Sequence, residues 1–236
     1  PFTATAGTAG LSFDTREAAQ SFFRLVELGN NCPPLPGGLV HWWRAQNLAD
    51  SAGTANAVSF GGAALGPGRT GTAYTFDGVD DRFRFSGTAL PSGGVIGGWT
   101  VSMWVCRTNS PDQSSALFLD SQYALKLEQY GNAGRYVGIT KFGVLGGDKS
   151  FNYSVPEGEW THLAFADSPG GTQLYVNGTR QGTIPDRIPL PLDFLGGNTG
   201  NRLKGAVDEI LVFNRELSAL EISDLYFAAD ALDGCP

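Results

Sequence analysis

The sequence predicts an all-β fold, a sandwich or barrel of short antiparallel strands, and three observations carry that prediction. The 33 glycines and 13 prolines make up almost one residue in five and are spread along the whole chain rather than gathered in one linker. Short apolar runs alternate with clusters of Gly, Pro, Asn and Asp, the punctuation of many short strands. Asn177-Gly178 stands between two such runs, and both central positions of a tight hairpin turn favour residues that tolerate positive φ.

Composition narrows the class further. With 236 residues the chain is long enough to bury its own core, and 42% hydrophobic against 17% charged residues excludes a disordered chain. No apolar run approaches the roughly 18 residues that a membrane-spanning helix needs. A net charge of −7 with no Lys/Arg cluster argues against nucleic acid as a partner.

Residues 1–36 read as an N-terminal arm and a Pro/Gly linker. Phe2 to Gly10 is a Thr/Ala/Gly stretch without periodicity. Asp14-Thr-Arg-Glu17 has the spacing of a helix start, and Ala18, Phe22 and Leu25 follow at helical intervals. Phe22 to Leu28 has strand propensity as well, so helix and strand both stay open there. Cys32-Pro-Pro-Leu-Pro-Gly-Gly38 is stiff and then flexible.

From residue 37 to 236 the pattern is that of a single β domain. Strands are expected at Leu39–Arg44, Ala57–Phe60, Ala73–Phe76, Arg82–Phe85, Thr100–Arg107, Ala116–Asp120 and Ala124–Gln129. The series continues with Tyr136–Thr140, Ser150–Ser154, Thr161–Ala166, Thr172–Val176 and Ala206–Phe213. Trp99, Val101, Met103 and Val105 fall on one face of their strand and belong to a core, while Thr100, Ser102, Trp104 and Cys106 share the opposite, partly polar face. One helix is clear. Ser218-Ala-Leu-Glu221 is a capping box, and Ile222, Leu225, Tyr226 and Ala229 form its apolar stripe.

Candidate chemistry is sparse. Trp104 is the best surface aromatic for stacking on a sugar ring, with Thr100 and Ser102 beside it to bond hydroxyls. His41 and His162 lie in apolar strands and read as structural histidines. Gly66-Pro-Gly-Arg-Thr-Gly71 matches a dinucleotide fingerprint by letter only, since a strand follows it and Pro67 removes an amide. Asn152-Tyr-Ser154 and Asn177-Gly-Thr179 are glycosylation sequons. Cys32 and Cys235 read as a disulfide that ties the ends of the main body, with Cys106 a buried thiol; three reduced thiols are the alternative. A disulfide places the chain in an oxidising, extracellular setting.

Taken in order, several segments resemble the laminin-G-like, concanavalin A-like lectin/glucanase superfamily. They are Leu39-Val-His-Trp-Trp43, Asp50-Ser-Ala-Gly53, Tyr74-Thr-Phe-Asp-Gly-Val-Asp-Asp81, Trp99 to Val105, Glu159-Trp-Thr-His-Leu-Ala164, Gln173 to Gly178, and Gly205 to Ser218 with the helix after it. The resemblance implies a two-sheet antiparallel jelly-roll β-sandwich with one short C-terminal helix and one sheet curved into a concave face. It implies a non-catalytic binding or adhesion module of a secreted or cell-surface protein, with a glycan or a cell-surface or matrix protein as partner. A structural Ca²⁺ is frequent in such domains, and the matching positions are Asp50, Asp208 and carbonyls near Gly78. The Glu-x-Asp-x-x-Glu strand of the family's retaining glycosidases is missing, so no acid/base pair can be named. The alternative function is a structural subunit of an extracellular filament, self-associating through residues 1–30 by strand addition, and a glycoside hydrolase or polysaccharide lyase ranks third.

Overall fold

The structure, a computed structural model, describes residues 2–6, 9–13, 32–85, 98–109, 114–129, 135–198 and 200–232. In chain order its strands are β1 (Phe2–Ala6), β2 (Ala9–Phe13), β3 (Leu39–Trp43), β4 (Ala57–Phe60), β5 (Ala64–Pro67), β6 (Thr72–Asp77), β7 (Arg82–Phe85), β8 (Trp99–Arg107) and β9 (Ser115–Leu119). The second half adds β10 (Tyr123–Glu128), β11 (Gly138–Lys141), β12 (Asp148–Ser150), β13 (Trp160–Ser168), β14 (Gly171–Val176), β15 (Thr179–Ile184), β16 (Phe194–Leu195) and β17 (Lys204–Phe213), followed by helix α1 (Ala219–Leu232). No described helix is long and apolar enough to cross a membrane.

The chain divides into two compact units, Pro1–Asn31 and Cys32–Pro236. The first contains an antiparallel hairpin, β1 paired with β2 from Phe2↔Phe13 to Ala6↔Ala9. No strand is expected there, because Thr, Ala and Gly give no apolar alternation. The helix-or-strand segment from Asp14 to Leu28 lies outside the described residues.

The second unit is a jelly-roll sandwich of two antiparallel sheets. One has the order β12-β11-β10-β9-β16-β7-β4; the other runs β15-β14-β13-β8-β17-β6-β5, with β3 also paired to β17. β17 takes two neighbours in turn. Residues 204–207 pair with β6 and residues 210–213 with β3. The changeover is a bulge after Asp208, where Glu209 adopts φ 48°.

Cross-strand partners share a face, so the ladders show which side chains meet between the sheets. Phe83, Leu195, Phe118, Leu125 and Ile139 form one inward row across the seven-stranded sheet. Trp99, Val101, Met103 and Val105 point at them from β8, and all nine are buried in one core cluster. Truncating a side chain such as Phe83, which is fully buried, is expected to cost about 3–5 kcal/mol.

In the second unit three strands go unforeseen by apolar patterning. β5 carries Gly66 and Pro67 and survives as an edge, where the missing proline N–H faces no partner. β15 is another edge and largely exposed. β16 has only two residues. The strand expected at Ser150–Ser154 instead ends at Ser150, because Asn152 turns left-handed (φ 54°) and breaks the ladder.

Candidate functional site

Each sheet has an outward face, and the two faces differ. On the eight-stranded sheet, Trp42, Ala164, Ala166, Leu211 and Phe213 point outward and are covered by Ile222, Leu225 and Leu232 of α1. The helix starts as the sequence predicts. Glu221 accepts from the Ser218 N–H at 2.9 Å and donates its own N–H to Ser218 Oγ at 3.3 Å. Arg215 pairs with the same carboxylate at 2.5 Å. The Arg215 guanidinium, with the Ser218 N–H, holds Glu221 down at about 2.

This arrangement corrects the expectation of an open face around Trp104. Trp104 is only 6% exposed, and Thr100 and Ser102 are buried. Thr100 Oγ1 donates to the Arg215 carbonyl and accepts the Leu217 N–H, both at 2.9 Å, which anchors the segment leading into α1. Trp104 is stacked on Tyr226 at 5.6 Å and lies under the Arg69 guanidinium at 3.8 Å; Arg69 in turn pairs with Asp230 at 2.7 Å. The polar residues of this face thus receive the helix.

Beneath the helix, Ser102, Trp104, His162, Glu209 and Leu225 line a pocket about the size of a single water molecule. Ser102 Oγ lies 2.8 Å from His162 Nε2. Burial, and secondarily the Arg69 charge, push His162 down to about 3, and among the described residues its Nδ1 meets no hydrogen-bond partner. A serine nucleophile needs a base that is oriented through its second nitrogen and has a pKa near the working pH. Among the described residues this pair has neither, in keeping with the structural reading of His162.

Two of the residues expected to hold calcium, Asp50 and Asp208, accept backbone N–H groups in the structure. Asp50 Oδ1 accepts the N–H groups of Trp42, Ala52 and Gly53, and Oδ2 accepts Ala55 N–H and His41 Nδ1–H, at 2.6–3.1 Å. Burial alone would raise the Asp50 pKa, yet these hydrogen bonds hold it below the ordinary value. Asp208 accepts N–H groups of Arg69, Thr70 and Glu209. Each carboxylate oxygen has two lone pairs, and both oxygens of Asp50 accept two or more N–H groups, so its lone pairs are directed at those donors. Both carboxylates organise backbone: Asp50 closes the loop after β3, and Asp208 fixes the turn between β5 and β6. Tyr74, buried nearby, has its pKa raised by burial and then by these two carboxylates. Gly78 sits elsewhere, in the turn where oxygens of Asp77, Asp80 and Asp81 lie within 4.8 Å of one another.

Cys106 is a free, half-buried thiol whose pKa burial raises. Cys235, the expected partner of Cys32, lies outside the described residues.

The outward face of the seven-stranded sheet has no helix packed on it among the described residues. Its side chains follow from the ladders. Phe60 stands beside Arg82, Val58 beside Arg84, and Arg84 beside Phe194. The row continues through Leu119, Ala124 and Thr140 to Asp148. Ala116, Leu119 and Ala124 form an apolar floor against which the half-buried Phe194 and Phe142 pack. Lys126, buried on the same face, donates to Ser114 Oγ at 2.8 Å and to Asn201 Oδ1. Phe60 and Val58 are 39% and 48% exposed. Sequence reasoning missed this face, although Arg82-Phe-Arg-Phe85 carried the signal: strict alternation puts two arginines on one side and two core phenylalanines on the other.

Among the described residues a helix covers one outward face of the jelly roll, and no helix packs on the other. The chain matches the family model of the concanavalin A-like lectin/glucanases superfamily over residues 77–223 and belongs to that superfamily. No curated protein matches it. Among solved structures it is similar to domain 4 of AbnA, a GH43 extracellular arabinanase from Geobacillus stearothermophilus, in complex with arabinotriose. The identity is 24% and the TM-score 0.64, covering 80% of this chain and 98% of that one. It is also similar to the binding domain of Paraclostridial Mosquitocidal Protein 1, at 15% identity and TM-score 0.56, covering 80% of this chain and 52% of that one. A third likeness is to a chain of botulinum neurotoxin type C, whose cell entry depends on interaction with two ganglioside molecules. There the identity is 12% and the TM-score 0.58, covering 81% of this chain and 51% of that one. The chain therefore spans about half the length of these two toxin chains.

Proposed function

We propose that this protein is a non-catalytic, extracellular carbohydrate-binding module, and that it presents its ligand surface on the outward face of the seven-stranded sheet. One observation carries the reading. α1 seals the face that Trp104 belongs to, and among the described residues Phe60, Phe194, Arg82 and Arg84 form an aromatic and hydrogen-bonding surface on the other side. Aromatic rings flanked by polar forks suit sugars, which offer apolar ring faces and hydroxyl edges. The likeness to a domain in complex with arabinotriose supports this class of ligand.

Isothermal titration against a polysaccharide panel tests it. The domain binds at least one polymer, and Phe194→Ala weakens that binding about tenfold, equivalent to about 1.4 kcal/mol. Binding that Phe194→Ala leaves intact, or that turns sugar over, contradicts the reading. A disulfide from Cys32 to Cys235 accords with an extracellular setting, and peptide mapping under non-reducing conditions checks it. Among the described residues the turn of Asp77, Asp80 and Asp81 beside Gly78 gathers carboxylates that could hold a structural calcium, and a fall in Tm with chelator is the readout.

A second reading, a subunit that polymerises by strand addition, is favoured by one finding: the N-terminal unit holds a two-stranded hairpin. An isolated hairpin is at best marginally stable in water, so a further strand would stabilise it. Light scattering before and after removal of residues 1–31 decides: assemblies lost on removal support it, and a monomer in both states ends it.

A further inference from the structure

The carbohydrate-binding reading leaves the class of sugar open, and the arginines of the open face narrow it. Five of the ten described arginines are matched to acids. Arg107 and Arg135 both reach Glu128, Arg187 reaches Asp167, Arg215 reaches Glu221 and Arg69 reaches Asp230. Arg82 and Arg84 differ: among the described residues no carboxylate pairs with either. Their contacts are aromatic. The Arg82 guanidinium carbon lies 5.6 Å from the Phe60 ring and 5.5 Å from the Phe194 ring, and that of Arg84 lies 5.8 Å from Phe194.

At these distances a guanidinium is attracted to the aromatic ring and keeps N–H groups able to donate. Two residues apart on one strand, the pair projects from the same side at a spacing of about 7 Å. The nearest acids in sequence, Asp80 and Asp81, belong to the turn before β7, where the Asp77 N–H donates to Asp81 Oδ2 at 2.9 Å. In a chain of net charge −7, two arginines held on aromatic rings without an acid form a local site for an anion.

We propose that this face recognises an anionic saccharide, with Arg82 and Arg84 holding its carboxylate or sulfate groups and Phe194 packing on the sugar ring. The inference rests on the carbohydrate-binding reading above and assigns its ligand a charge.

The test is titration of the domain with polygalacturonate (carboxylate only), dextran sulfate (sulfate only) and neutral arabinan, at low and at high salt. An acidic polymer should bind at least about tenfold tighter than arabinan and weaken with salt. Arg84→Gln should lower that affinity about tenfold, and the pair Arg82→Gln/Arg84→Gln should lower it further, with the melting temperature of Arg84→Gln unchanged. Which acidic polymer binds distinguishes carboxylate from sulfate. The proposal is overturned if neither acidic polymer binds tighter than arabinan, or if the arginine variants bind as the parent does. Arabinan binding that Phe194→Ala removes and the arginine variants do not would overturn only the assignment of charge. Failure of all three polymers, together with a wider panel, would remove the carbohydrate reading itself.

Discussion

The two outward faces of the sandwich use similar residues to opposite ends. On β8 a tryptophan, a threonine and a serine face outward, and each is consumed by internal contacts: Trp104 by Tyr226 and Arg69, Thr100 by the Arg215–Leu217 segment, Ser102 by His162. On β7 two arginines face outward, and among the described residues they lie beside aromatic rings of their own sheet and pair with no carboxylate. The difference is whether a later chain segment returns to cover the face. Fourteen residues of helix decide it, and β-strand alternation alone carries no information about them.

The largest expected effect breaks the sealed face. Trp104→Ala removes a buried indole from between Arg69, His162 and Tyr226, so stability to chemical denaturation should fall by about 3–5 kcal/mol. Sugar affinity of the fraction that remains folded should be unchanged. A Trp104 variant that folds normally but loses binding would reverse the roles of the two faces.

Acid should loosen the same region. The folded state holds His162 at about 3, against 6.5 for an ordinary histidine, so the unfolded chain takes up the proton first. The contribution is fully present above pH 6.5 and is lost as pH falls toward 3. At pH 4.5 it amounts to about 2–3 kcal/mol less stability than at pH 7.5. Denaturation curves at the two pH values check this, and His162→Gln should flatten the dependence over that window.

The cap of α1 comes next. Ser218→Ala removes a capping hydroxyl and should cost about 1 kcal/mol, read as a small fall in Tm. The smallest effect belongs to the open face: Arg84→Gln, exposed and without an acid partner among the described residues, should change stability by less than about 0.5 kcal/mol.

Much of the fold is legible in the sequence because alternation in strands such as β8 and β7 is strict and the Ser218–Glu221 box marks the helix start without ambiguity. β5, β15 and β16 were not legible. They are edges or fragments held by pairing, and their residues bury too little to leave a periodic trace. The site was less legible still. A polar residue facing outward has the same signature whether it meets water, a sugar or a returning helix, and Asp50 looks like a metal ligand until its five N–H donors are seen. The alternation of Arg82 to Phe85 marked the open face, but nothing local says that these arginines lack acids across the sheet.

The account turns on which face meets the ligand, and amide chemical-shift perturbation during titration with a bound oligosaccharide measures that directly. It predicts shifts concentrated at Val58, Phe60, Arg82, Arg84 and Phe194, with Thr100, Ser102, Trp104, His162 and Tyr226 unmoved. Shifts confined to the second group, under the helix, would contradict it.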